Sequence, residues 1–112
     1  MVNAKKELME ILEANHKEKK HIKCAYIKYF KYNFKTEERT EKIIILKINY
    51  SDEEYEPFLK ELDFEYDNGY GSQELTGYVW FNDNSWLERG EYDGSEWWEY
   101  KEYPKIYEEC LK

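Results

Sequence analysis

The first apolar positions of the chain, Ala4, Leu8, Ile11 and Leu12, recur at helical spacing. Asn3 precedes them, where a side-chain oxygen can accept from the free N–H groups of a first turn. This predicts a helix from about Ala4 to Asn15. The stretch from His16 to His21 holds no apolar residue and reads as a solvated connection. From Ile22 to Phe34 the period becomes two, with Ile22, Cys24, Tyr26, Phe30, Tyr32 and Phe34 on one face, interrupted at Lys28. Lys23, Ala25, Ile27, Tyr29, Lys31 and Asn33 fall on the other. A polar turn, 35–41, leads to a β-branched run from Ile43 to Ile48. That run is apolar on both faces near its start, as expected of a central strand. The two strands are expected to form an antiparallel hairpin.

Ser51-x-x-Glu54 has the form of a capping box, and Tyr55, Phe58, Leu59 and Leu62 supply the stripe of a second helix. Pro57 leaves two readings open: Ser51 caps a separate short turn, or the helix proper begins at the proline. The segment 67–71 is a turn by composition. Three runs follow, Tyr78 to Phe81, Trp86 to Tyr92 and Ser95 to Lys101, and Asp93-Gly94 between the last two is a strong hairpin signal. They predict a three-stranded meander ended by Pro104, with Ile106 to Leu111 closing the chain as a short helix. The order α-β-β-α-β-β-β makes residues 1–112 one α+β domain, with about five antiparallel strands and the helices on one face.

Charge sharpens this picture. The chain has 112 residues and a net charge of −8, but residues 1–50 carry 12 Lys and Arg against 7 acids, while residues 51–112 carry 5 against 18. Fifteen of the 21 aromatic residues lie in that acidic second segment, which sets the chain apart from disordered acidic sequences, poor in aromatics. The longest apolar run, Ile43 to Leu46, is far too short to span a bilayer, and the first ten residues lack the apolar core of a signal peptide, so a cytoplasmic location is expected. There Cys24 and Cys110 are expected as free thiols.

Catalytic constellations are hard to assemble. The only histidines, His16 and His21, lie in the Lys-rich connection, a poor place for the base of a nucleophilic triad. With Cys24 they fall short of the four ligands of a structural zinc site, and Gly69-x-Gly71 lacks the third glycine and helix of a phosphate loop. No metal or cofactor is expected, and no enzyme. Glu88, Glu91, Glu96 and Glu99 read as the polar face of the meander, with Arg89 as a cross-strand partner for one of them. Tyr78, Trp80 and Trp86 can share a face, whereas Trp97 and Trp98 must point to opposite faces; either helices and the C-terminal tail cover both, or one is exposed as a candidate anchor for a protein partner.

The stretch GYVWFNDNSWLERGEYDGSEWWEYKEYP, Gly77 to Pro104, resembles a segment of small accessory proteins encoded by bacteriophages and prophages, most distinctively in the hairpin Glu91-Tyr-Asp-Gly-Ser-Glu-Trp-Trp98. The resemblance covers about a quarter of the chain and implies a protein acting in the cytoplasm of a bacterial host; it carries no catalytic residue with it. Combined with the charge, it suggests a non-catalytic inhibitor of a host defence system, such as an anti-CRISPR factor. Its partner would be a host protein, a nuclease or other nucleic-acid-binding effector whose basic cleft attracts carboxylates. The candidate partner-binding residues are Asp52, Glu53, Glu54, Glu56, Asp63, Glu65 and Asp67, joined by Glu91, Asp93, Glu96, Trp97, Trp98 and Glu99. Two alternatives remain: self-association into a structural or assembly protein through the opposite charges of the two segments, and nucleic-acid binding through the Lys- and Tyr-rich strand 22–35.

Overall fold

A computed structural model of the chain describes residues 1–33, 35–69 and 71–112; Phe34 and Tyr70, assigned above to a strand and a turn, lie outside the described residues. The chain opens with a two-residue strand, β1 (Val2–Asn3), and runs directly into α1 (Ala4–Ala14). Asn3 caps the helix as its side chain predicts, its Oδ1 accepting from the Lys6 N–H at 3.0 Å. The N–H groups of Ala4 and Lys5 donate to the carbonyls of Phe64 and Leu62, so the helix start is tied to a distant segment. That segment includes β4 (Glu65–Tyr66), antiparallel to β1, a pairing too short to show in the alternation of the sequence.

The main sheet is five-stranded, in the order β3-β2-β5-β6-β7, and antiparallel throughout. Its strands are β2 (Ile22–Asn33), β3 (Glu38–Leu46), β5 (Leu75–Phe81), β6 (Ser85–Tyr92) and β7 (Ser95–Glu102). The β2–β3 hairpin and the β5–β6–β7 meander form as the periodicity predicts. Asp93 (φ 50°) and Gly94 (φ 86°) both take the left-handed conformation that their two-residue turn requires. At Gly77 (φ 135°) the backbones of β5 and β2 approach so closely that a Cβ would lie 2.1 Å from the Tyr26 carbonyl oxygen, so no other residue fits.

α2 (Asp52–Glu61) matches neither reading of Pro57: one helix begins after Ser51 and runs through the proline. The proline forgoes one helical N–H bond, at an intrinsic cost of about 3 kcal/mol. Burial of Tyr55, Phe58 and Leu59, at about 1.5–3 kcal/mol for a fully buried large apolar side chain, outweighs it.

Three other expectations are corrected. β3 is an edge strand and not a central one: Ile44 and Leu46 enter the core, but Ile43 and Ile45 stand on the other face, 46% and 50% exposed. In β2 the inward residues are Ala25 and Ile27, with Tyr29 partly buried against them, so Cys24, Tyr26 and Phe30 point away from the core. A register shift between Ile22 and Cys24 lets Ile22 turn inward nonetheless, a reversal that simple alternation misses. Finally, Ile106 to Leu111 forms only a 3₁₀ turn at 108–111, and Ile106, Tyr107 and Leu111 remain exposed without closing the core.

α1 and α2 contribute Ala4, Leu8, Leu12, Tyr55, Phe58 and Leu59 to one core with the inward residues of the sheet. Both helices therefore lie on one side. The thinnest dimension of the molecule, 21 Å, accommodates one sheet and one helical layer, each about 10 Å thick. The opposite face of the sheet is open.

Candidate functional site

Alternation along β6 and β7 sends Arg89, Glu96 and Trp98 inward and Trp86, Glu88, Trp97 and Glu99 outward. Inside, Arg89 donates from Nη1 to Glu7 of α1 at 2.9 Å and from Nη2 to Glu96 at 2.8 Å and to the Tyr66 hydroxyl at 2.7 Å. Its guanidinium lies 5.0 Å from the Trp98 ring centre and 5.7 Å from that of Tyr66. Glu96 also accepts from the backbone N–H groups of Leu75 and Glu74, which completes the pairing of a buried charge. Tyr66 donates to Glu7; burial, reinforced by that bond, pushes its hydroxyl pKa far above the ordinary range.

This is the cross-strand partnership expected of Arg89, extended to two residues that sequence proximity could not suggest. Its members resemble catalytic groups in type. However, the side chains of Arg89 and Glu96 are 1% and 0% exposed, so no substrate reaches them. The network joins α1 and β4 to the sheet.

The outer face is chemically similar but uncovered. Across the strands Ile45 lies opposite Tyr26, Tyr26 opposite Tyr78, and Tyr78 opposite Glu88. One step along, Cys24 lies opposite Trp80 and Trp80 opposite Trp86. Ile45 is 50% exposed, Tyr78 44% and Trp80 37%. Tyr78 and Trp80 stack with ring centres 5.4 Å apart, and Tyr103 meets Trp86 edge-on at 5.7 Å. Trp97 rests over Gly90, where a Cβ would come within 2.8 Å of the indole nitrogen. Two carboxylates are held by the indoles: Trp86 donates to Glu88 at 3.1 Å and Trp97 to Glu99 at 3.0 Å.

Between these side chains lies a cleft of about 730 Å³, lined by Lys23, Cys24, Tyr78, Trp80, Trp86, Glu88 and Tyr103, with Phe81, Asn84 and Ser85. Burial pushes the Cys24 thiol pKa up, so it is a weak nucleophile at neutral pH. The charges of this face are mixed: Lys28 pairs with Glu41 at 3.1 Å and Lys101 with Glu99 at 3.5 Å.

The acidic residues singled out in the sequence do not meet on one surface. Asp52, Glu53, Glu54 and Glu56 are exposed on α2, and Asp63 and Glu65 are exposed near it in the helical layer. Asp63 accepts from Asn3, and Lys19 bonds to Asp52. Asp67 is partly buried, and Glu91 and Asp93 lie at the β6–β7 hairpin end. Glu96 and Trp98 are buried, 2% and 6% exposed, and offer nothing to a partner; the core needs one tryptophan of the adjacent pair, and strand register assigns it to Trp98. Trp97 and Glu99 stand on the open face, opposite the helical layer. Of the three residues weighed as metal ligands, His21 accepts from the Glu18 N–H through Nδ1, and among the described residues no group of three His, Cys, Asp or Glu could hold a metal ion.

Sequence reasoning placed Tyr78, Trp80 and Trp86 on one face but left them out of the candidate surface. Ile43 and Ile45 were hidden by the reading of their run as a central strand, and nothing in the alternation of 22–34 marked the face of Tyr26 as the exposed one.

Compared with protein-family models, with curated proteins and with solved structures, the chain matches none. Among the described residues no helix is long and apolar enough to cross a membrane.

Proposed function

We propose that this chain is a non-catalytic binding protein that docks a protein partner on the open face of its sheet. The observation that carries the reading is the uncovered band of Tyr26, Tyr78, Trp80, Trp97, Ile43 and Ile45, backed by a complete core on the other side. Contiguous exposed apolar surface is costly to solubility, and Trp and Tyr are the residues that anchor protein interfaces. The resemblance of the C-terminal segment to phage-encoded proteins supports a partner in a bacterial host. The net charge of −8 supports a basic partner, such as a nucleic-acid-binding effector of host defence, steered by long-range attraction. Nucleic acid itself fits the face less well, because Glu41, Glu88 and Glu99 interleave with the rings and Lys28 is already paired.

The reading separates two surfaces experimentally. Retention of bacterial proteins is compared for the unaltered chain, an open-face variant (Ile45→Lys with Trp97→Ala) and a helix-face variant (Glu53→Lys with Glu56→Lys). A specific protein retained by the first and third but not the second is the expected result. Retention lost only in the helix-face variant, or no specific retention at all, overturns the open-face reading.

A further inference from the structure

We infer that the cleft between Tyr78, Trp80, Trp86 and Tyr103 is a receptor for an arginine side chain presented by the protein partner. The inference rests on the reading of the open face as a protein-docking surface and names its anchor. Three observations carry it. First, the cleft combines aromatic ring faces with one carboxylate, the surroundings that attract an organic cation. The Trp86 indole fixes Glu88 through Oε1, leaving Oε2 without a partner among the described residues.

Second, among the described residues no cation of the chain stands over the rings of Tyr78, Trp80, Trp86 or Tyr103, although Lys23 lines the cleft. The cation–ring contacts of Lys17, Lys19, Lys28, Lys42, Arg39 and Arg89 fall on rings other than these four, that of Lys17 on Phe81 at the cleft's edge. Lys101, opposite Trp86, is turned to Glu99, and Lys23, which lines the cleft, stands over none of its rings.

Third, the same fold shows on its inner face what such an arrangement holds: Arg89 sits between Trp98, Tyr66 and two glutamates. The outer cleft repeats tryptophan, tyrosine and glutamate, on β5, β6 and the residue after β7, without the arginine. A guanidinium suits it better than an ammonium, because it is planar, stacks on an indole face and offers a fork of N–H donors to a carboxylate. The volume of about 730 Å³ admits the side chain together with neighbouring partner atoms.

The experiment follows the four indole N–H signals of the full ¹⁵N-labelled chain during titration with acetyl-Gly-Arg-Gly-amide. The same tripeptide carrying citrulline, its uncharged isostere, and one carrying lysine serve as comparisons. The arginine peptide is expected to move the Trp80 and Trp86 signals saturably, leave Trp98 in place, and bind at least fivefold more tightly than either comparison. Glu88→Gln is expected to weaken it at least fivefold, and Trp80→Leu to abolish it while the Trp98 signal reports an intact core. Absence of saturable shifts, equal binding of the citrulline or lysine peptide, or shifts confined to Trp97 overturns the inference. If open-face variants lose a protein partner while the arginine peptide fails to bind, the anchor is wrong and the docking reading survives. If the peptide saturates the cleft but no partner depends on the face, the docking reading fails and the guanidinium site stands alone.

Discussion

The two faces of the main sheet use the same residue types to opposite ends. On the inner face a tryptophan, a tyrosine and two carboxylates enclose Arg89, and α1 covers the assembly, so the Arg89–Glu96 pair is out of water and Glu7 is partly buried beside it. On the outer face tryptophans, tyrosines and carboxylates face solvent, with Glu88 and Glu99 held only by indole N–H groups and one lysine. Burial turns the first set into structure, because breaking a desolvated ion pair leaves an orphaned charge. Exposure leaves the second set free to act, because its groups contribute little to folding and retain their affinity for something else. Residue type alone does not decide whether a side chain of this sheet is buried in a paired network or left in solvent; its face of the strand does.

The comparison is broken most forcefully at Arg89. Arg89→Ala leaves Glu96 buried beside a cavity and is expected to cost about 3–5 kcal/mol in urea unfolding. Its outer counterpart Glu88→Gln should change stability by no more than about 0.5 kcal/mol. Equal effects for the two would dissolve the distinction between the faces.

Tyr66→Phe comes next, removing a hydroxyl that both donates to Glu7 and accepts from Arg89, for an expected loss of about 1–3 kcal/mol. It also has a pH signature. Burial raises the hydroxyl pKa of Tyr29, Tyr50, Tyr55 and Tyr66 in the folded chain, so the native state holds protons that the unfolded state releases. Stability is therefore complete below the ordinary tyrosine value of about 10 and falls as pH rises beyond it. Unfolding measured from pH 8 to 11 should show that decline, with a shallower slope in Tyr66→Phe.

On the open face Ile45→Thr replaces a half-exposed residue and should alter stability by about 0.5 kcal/mol or less, while Ile44→Thr, its buried neighbour, should lose several times more. A large loss from Ile45→Thr would mean that the outer face is covered in solution, with a second copy of the chain as the cover to test by sedimentation.

A comparably small effect belongs to Asp83. Lys17, whose ammonium stands over the Phe81 and Tyr100 rings, donates to it at 2.7 Å, and this bond, with that of Ser85, holds its carboxyl well below the usual range. The lowered value means stability present above about pH 4 and lost as the carboxylate protonates below it. Because Asp83 is largely exposed, the pair contributes about 0.2–1 kcal/mol, and Asp83→Asn should flatten the acid limb of the stability profile by that amount.

Much of the fold was legible in particular residues. Asn3 marked the start of α1, Asp93-Gly94 the tightest hairpin, and the adjacency of Trp97 and Trp98 meant that one of them had to face away from the core. Ser51 marked the start of α2, although Pro57 obscured it, because propensity is local whereas burial of Tyr55, Phe58 and Leu59 is not. The candidate surface was less legible. Its acids were grouped by their nearness in the chain, but α2, the hairpin end and the open face carry them in different directions. The inner network was half visible: Arg89 and Glu96 are seven residues apart across a hairpin, whereas Glu7 lies 82 residues away and only packing of α1 brings it there.

The sequence by itself determined the local elements, since caps, turns and alternation act through neighbouring residues. It also determined which residues of the longer strands share a face. Which face would be covered only the tertiary structure decided. In β2 and β3 both faces are apolar, so alternation could not rank them, and two helices can cover one side of a five-stranded sheet. The shift of register at Ile22 and the placing of α1 over Arg89 then completed the choice, leaving Trp80, Trp86 and Glu88 outside.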